Sequence, residues 1–520
     1  MLATHPVLTS AESAAWEEKL LGGDETKTWA AMSRAGRGVA EAALKDYLEI
    51  RPVPDDFRVL LLLGTGHNAG DALVAGRAIL EKLPHASATA LLLYPRGKLR
   101  PLAKKALDAF EALGDRAETL EWGTEAAKAF EWMRFNLVLE GVVGMQMKPP
   151  LRPPAPEIFR IVERMSIEMR AAVDLPAGVG DECAPDGFAA DFTYATGIAK
   201  RAIFDPANPR KTGRVRYIDI GFFNKASPEG DPSREIILPR SLESLRALRP
   251  VDADKRANGH VFIVGGARSM PGAVSMATMA AVRAGAGLVT TFLPESISAA
   301  AFPTAPEAMW VPLPIESGDV AGSQDAVEKL SGRMTAMVIG PGLDGGDWNV
   351  RDLIFRLIAR ANVPVVIDAS ALIPEAVRAA DERPESFPPA VFTPHLGELA
   401  RLVGDKVFQP GCDLDAAIRD FAKEHRAVVL LKGPVTRITD GKRVLCGAFG
   451  GPVLGRGGSG DILSGILGAL VAKRNANALE SAALAALWHG AAAEHLARER
   501  GQTAVRTTEI LDHLSPALRE

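Results

Sequence analysis

Two doubly wound α/β domains are predicted, and three features of the sequence predict them. Short apolar runs recur along the chain and end at Gly, Pro or Asp; helical apolar stripes separate them; and 520 residues exceed one ordinary domain, about 150 residues per domain giving two to four. From Arg58 the sequence RVLLLLGTGHNAGDALVAGRAILEKLP reads as a buried strand, a glycine turn and a helix stopped by Pro84, and SATALLLYP as the next strand, which makes a βαβ unit. The helix is expected to begin at Asp71, with Ala72, Ala75, Gly76, Ile79 and Leu83 as the stripe that packs on a sheet. Strands are also predicted at 135–139, 169–173 and 214–220. Residues 225–240 combine prolines, a glycine and mixed charges without a sustained period, so the domain boundary is placed there, between domains 1–225 and 236–520.

Beyond the boundary the alternation restarts. HVFIVGG, GLVTTFLP, MTAMVIGPGL and VPVVIDASAL read as strands, PGAVSMATMAAVRAGAG as a helix, and TRITDGKRVLC as a hairpin turning at Asp440-Gly441. Strand ends that carry Gly, Pro and Asp gather polar loops on one rim, the usual ligand position in open α/β sheets. A last long helix covers 481–500.

Composition sets the class. Hydrophobic residues make up 47% and charged residues 24%, and a formal net charge of −4 gives no electrostatic reason to expect nucleic acid. Cys183, Cys412 and Cys446 lie far apart without a CxxC, which supports neither a disulfide framework nor a zinc site and suits a reducing cytoplasm. No window has the ~18 apolar residues of a membrane span, and the first residues lack a signal-peptide core. Small-molecule chemistry is the expectation.

The chemistry concentrates at Gly457-Gly458-Ser459-Gly460-Asp461, which opens an apolar helix running to about Ala472. Glycines let backbone N–H groups approach a phosphate, the helix start adds partial positive charge, and Asp461 can take a proton from a hydroxyl facing that phosphate. Lys432 to Thr436 place a lysine and a threonine at a strand end where a nucleotide's phosphates would pass, and His395 is expected to cap a helix starting near Gly397. In order, GGxxxxPGA, GPGL, DAxAL, TPHxGE, LKGxxT and GGSGD closely resemble the ADP- or ATP-dependent NAD(P)H-hydrate dehydratase family, over nearly all of residues 250–500. The resemblance implies a ribokinase-like sheet and dehydration of NADHX and NADPHX, the C6-hydroxylated forms of NADH and NADPH. It makes Asp461 the base, puts Gly460 and Lys432, Gly433, Pro434, Val435 and Thr436 on the nucleotide, and lines the substrate pocket with Ala273, Gly342 and His395. ADP, or ATP, is the implied co-substrate, with Mg²⁺ on its phosphates.

In the first domain Gly64-Thr65-Gly66-His67-Asn68-Ala69-Gly70-Asp71 is not GxGxxG, the dinucleotide fingerprint. With Met32-Ser33-Arg34-Ala35-Gly36-Arg37, it resembles the NAD(P)H-hydrate epimerase family on a Rossmann-like sheet; that family interconverts the R and S forms at C6. By this resemblance His67, Asn68, Ala69, Gly70, Asp71, Gly144, Met145, Gln146, Met147 and Asp174 bind substrate, and Asp174 is the acid/base. Potassium is held by Asn68, Glu140 and Ala177, where the chain has Glu for the family's Asp and Ala for its Ser. A homo-oligomer is also implied. The alternatives left open are a vitamin-precursor kinase of the same fold and a first domain serving as a binding or scaffold module.

Overall fold

The computed structural model describes residues 2–145, 147–204, 208–228, 233–248, 251, 255–409 and 411–520; Gln146 lies outside the described residues. The chain divides into two compact units: His5–Pro232 with Ala497–Gln502, and Ser233–Leu496 with Met1–Thr4 and Thr503–Glu520. Among the described residues, no helix is long and apolar enough to cross a membrane.

The first unit is built on a seven-stranded sheet, all parallel, in the spatial order Ala117–Glu121, Ser87–Leu92, Arg58–Leu63, Phe135–Gly141, Ile167–Val173, Phe192–Thr196 and Arg214–Ile218. Leu61 and Leu63 bury into one core, against Ala72 and Ile79 of the helix His67–Lys82, while Leu60 and Leu62 bury into the core on the other face, with Val138 and Phe159. Burial on both faces is why RVLLLL is a continuous apolar run rather than an alternating one. The helix after this strand begins at His67, one turn before the expected Asp71. Gly66 caps it in an extended conformation, and Asn68 in the first turn ties it to the carbonyls of Val143 and Val173.

In the second unit the parallel order is Met309–Leu313, Leu288–Pro294, His260–Val264, Ala336–Ile339, Val365–Ile367, Ala390–Phe392 and Val428–Leu431. The hairpin Thr436–Thr439 and Val444–Gly447 continues the sheet antiparallel. Beyond it Arg234–Ile237 adds in parallel to Val444–Gly447, so part of the stretch read as a periodless boundary is a strand. Four residues are too few to display a period; what holds them is Glu235 on Arg443 and Arg234 on Asp415. The helix Ser459–Val471 lies against the helix Pro271–Arg283 so closely that a Cβ on Gly465 would stand 2.2 Å from the Ala277 carbonyl oxygen.

Candidate active sites

Both sheets reverse their direction of growth once, and each reversal opens a crevice beyond the carboxyl ends of two strands. In the first unit the reversal lies between Arg58–Leu63 and Phe135–Gly141. Gly64 leaves the first of these strands so near the loop after the second that a Cβ there would sit 1.9 Å from the Val142 carbonyl oxygen. The loops enclose a cavity of about 1000 Å³, lined by His67, Asn68, Asp71, Gly144, Met145, Met147, Asp174 and Thr196, and by Glu17 of the helix Ser10–Leu21. Ala69 is instead packed in the core, and Gly70 backs onto Met32.

Asp174 follows the strand Ile167–Val173 with φ +67, a left-handed conformation that costs energy outside glycine and collects at functional sites. Its Oδ1 accepts from the backbone N–H of Thr196 (3.2 Å), from Thr196 Oγ1 (3.2 Å) and from Lys200 Nζ. Lys200, 1% exposed, also donates to the Thr196 carbonyl (3.1 Å). Burial pushes Glu17 up to about 7, with Lys200 pulling it down and Asp174 adding to the rise; burial with Asp174 and Glu17 holds Asp71 well above the usual carboxylate range, against Lys200. Glu140 is fully buried, its oxygens accepting the N–H groups of Val142 (2.6 Å) and Ala177 (2.9 Å), and burial outweighs those bonds to raise it to about 7. The Ala177 carbonyl accepts from Phe188 N (2.8 Å).

In the second unit the reversal lies between His260–Val264 and Ala336–Ile339. Gly342, after the second strand, would put a Cβ 2.8 Å from that of Ala273, so these two meet. Gly458 takes φ +89 against Met276, on the same helix as Ala273, and turns the chain into the helix Ser459–Val471 with Asp461 in its first turn. A Cβ on Gly460 would lie 3.4 Å from Lys432 Nζ and 3.9 Å from Asp368 Oδ2. Lys432 Nζ donates to Asp368 Oδ1 (2.8 Å) and pairs with Glu398 (3.7 Å); Thr393 Oγ1 also donates to Asp368 Oδ1 (2.7 Å). Asp368 is 1% exposed, and its Oδ2 has no partner among the described residues. His395 bridges in parallel to Lys432 and caps the helix Leu396–Val403, its Nδ1 accepting from Gly397 N and Glu398 N. Gly433, Pro434 and Val435 make the turn to the next strand, which Thr436 opens.

These neighbours set two protonation equilibria. Burial, then Asp368, raises Asp461 from 3.8 to about 6, with Lys432 opposing and Glu398 adding. Burial works against the charge of Lys432, but Asp368, Glu398 and Asp461 outweigh it and hold the ammonium above its ordinary value. A carboxyl that changes state near neutrality, beside a held lysine at a helix start, can take a proton from a hydroxyl while that hydroxyl attacks a phosphate.

Sequence reasoning missed two groups here. Glu17 sits on a helix announced by the capping box Thr9-x-x-Glu12, which was legible. His489, buried in the helix Ala478–Arg500 with Nε2 unpartnered among the described residues and burial lowering it to about 4, had no local signal.

A family model described as NAD(P)H-hydrate dehydratase matches residues 261–516, and one described as YjeF-related protein N-terminus matches 30–202. The bifunctional NAD(P)H-hydrate repair enzyme Nnr of Moorella thermoacetica is 32% identical over 473 residues, covering 89% of this chain and 87% of its own. Among solved structures, a ribokinase-like superfamily protein of Enterococcus faecalis is 25% identical with a TM-score of 0.48, over 56% of this chain and 98% of its own. The ADP/ATP-dependent NAD(P)H-hydrate dehydratase of Bacillus subtilis, co-crystallised with ATP and Mg²⁺, is 24% identical with a TM-score of 0.47, over 54% and 96%.

Proposed function

The chain belongs to the bifunctional NAD(P)H-hydrate repair enzymes, and from that premise we propose that its first unit epimerises R- and S-NAD(P)HX and its second dehydrates S-NAD(P)HX at the expense of ADP, or ATP. On this reading the product is NADH or NADPH rather than the stable phosphoester of a vitamin-precursor kinase, and the first unit acts as an enzyme rather than as a scaffold. Cytoplasmic, homo-oligomeric operation is part of this reading.

Hydroxide is a poor leaving group, so phosphorylation precedes elimination. Asp461 takes the proton of the C6 hydroxyl as its oxygen bonds to the terminal phosphorus and the bond to the nucleotide's bridging oxygen breaks. Phosphate then leaves C6 with the bonding pair, the N1 lone pair compensates, and loss of a C5 proton restores the dihydropyridine. The N–H groups around Gly460 at the helix start and the ammonium of Lys432 meet the charge on the transferring group, with Lys432 to Thr436 along the nucleotide and Ala273, Gly342 and His395 around the substrate. Magnesium fits beside the unpartnered Oδ2 of Asp368, a hard oxygen donor. It would neutralise charge on the phosphates.

In the first unit Asp174, oriented by Thr196 and Lys200, is the acid/base, with His67, Asn68, Asp71, Gly144, Met145 and Met147 around the substrate. Potassium fits near Glu140: a buried carboxylate that accepts backbone N–H groups, and that no cation faces among the described residues, is costly unless a cation joins it. Asn68 and the Ala177 carbonyl would complete the oxygen set, and the ion would compensate the charge and fix the loop after Gly141.

The observation that carries the reading is Asp461 in the first turn of its helix, raised to about 6 beside Asp368 and Lys432. The test is recovery of reduced-nicotinamide absorbance from mixed R- and S-NADHX with Mg²⁺ and ADP or ATP. Nucleotide-dependent recovery is expected, abolished in Asp461→Asn, with recovery beyond the S fraction and faster than spontaneous epimerisation. No recovery with either nucleotide would refute it.

A further inference from the structure

Glu17 enters the first unit's cavity from an element that contributes none of the other proposed site residues. Its helix is fixed at its start by the reciprocal Thr9 and Glu12 bonds and along its length by buried Trp16, which stacks on Phe223 at 6.0 Å. The carboxylate is thus presented by an anchored backbone, yet has no hydrogen-bond partner among the described residues. Asp71, Asp174 and Lys200 face it electrostatically, and the cavity wall also carries Glu18, His67, Lys98, Arg100, Lys148 and Arg152.

We propose that Glu17 is a further catalytic residue of the epimerase reaction, the group that exchanges a proton with the C6 oxygen while Asp174 serves the opposite half of the inversion. The proposal rests on the epimerase reading above. Its basis is position: Glu17, Asp71 and Asp174 line one cavity, Glu17 reaches it from an anchored helix without a hydrogen bond of its own among the described residues, and Lys200 is committed by a hydrogen bond to Asp174. Burial, with Asp174 and Glu17 beside it, holds the Asp71 carboxyl well above the usual carboxylate range. Glu17, at about 7, can both give and take a proton.

The step balances without an outside reagent. Protonated Glu17 gives its proton to the C6 hydroxyl; the C6–O bond breaks, the N1 lone pair forms C6=N1, and water leaves. A water then adds to the other face, its oxygen bonding to C6 as the π pair returns to N1, and its proton passes to Asp174. The other epimer runs the same path backwards, and between turnovers in one direction solvent water takes the proton from Asp174 and returns one to Glu17.

The test uses the full chain without nucleotide, so that the dehydratase is silent, and follows purified R-NADHX to S-NADHX by chromatography from pH 5 to 9. Expected for Glu17→Gln is a kcat about 100-fold lower or more, KM and Tm little changed, and loss of the wild-type pH limb near 7, with Glu17→Asp recovering at least tenfold. A Gln variant within twofold of wild type, or one whose loss comes as raised KM or lowered Tm with the pH limb kept, would overturn the proposal. A wild-type chain no faster than spontaneous epimerisation would instead overturn the epimerase reading beneath it.

Discussion

Adding one methyl group at Gly465 should slow dehydration far more than it destabilises the protein. A Cβ there would stand 2.2 Å from the Ala277 carbonyl oxygen and 2.7 Å from the Ala280 Cβ, both in the neighbouring helix. Favourable contact needs about 3.5 Å, so the two helices must part by about 1 Å. Asp461 lies four residues earlier, on the same face and one turn toward the helix start, and moves with it. A misplacement of about 1 Å in a reacting group costs about 100-fold in rate, while overpacking costs about 1–3 kcal/mol of stability. Gly465→Ala is therefore expected to lower kcat about 100-fold at saturating nucleotide and S-NADHX, with a Tm lower by a few degrees. Gly332→Ala is the control: its Cβ would meet nothing within 4 Å, and it should behave as wild type. A Gly465→Ala enzyme folded at the assay temperature, with kcat within twofold, would refute the link between helix spacing and the position of the base.

The protonation of Asp461 has two consequences. Dehydration should fall as pH drops through about 6, because the acting base is the carboxylate, and a rate flat from pH 5 to 8 would contradict this. The folded-state value lies above the unfolded 3.8, so the folded chain binds more protons between them; this group's stability contribution is full below about 4 and is lost as pH rises through 6. Asp461→Asn should thus raise the second unit's stability at pH 8 by on the order of 3 kcal/mol and change it little at pH 4, checked by denaturant melts at both. Lys200→Met leaves Asp174 buried without its cation and should cost the first unit about 3–5 kcal/mol, most of it regained on adding Asp174→Asn. Hydrogen exchange within Phe192–Thr196 reports it, and a loss under about 1 kcal/mol would show that Asp174 is compensated elsewhere.

Strands buried on both faces write themselves as unbroken apolar runs, so Arg58–Leu63 and His260–Val264 could be read directly. The glycines and aspartates after them were legible because close backbone approach and helix starts leave few other residues possible, as at Gly64 and Gly458. Contacts between distant segments were not. Nothing local in Arg234–Ile237 announces that Asp415 and Arg443 will hold it in a sheet, and nothing in Glu17 announces a cavity it shares with Asp71 of a different helix and Asp174 at the end of a strand. The start of the helix at His67 was read a turn late because its first turn is fixed by Asn68 reaching Val143 and Val173, carbonyls far along the chain.

The small strand Arg234–Ile237 also bears on how the two activities can be separated. It covers the outer side of Val444–Gly447, and a C-terminal fragment cut at residue 236 would lack Arg234 and Glu235 and the ion pairs that seat them. The stripped hairpin would present a row of unpaired amides and carbonyls, a template on which other copies can add as strands. A fragment meant to carry the dehydratase by itself therefore has to keep Ser233 onward, or its insolubility will be mistaken for dependence on the missing half.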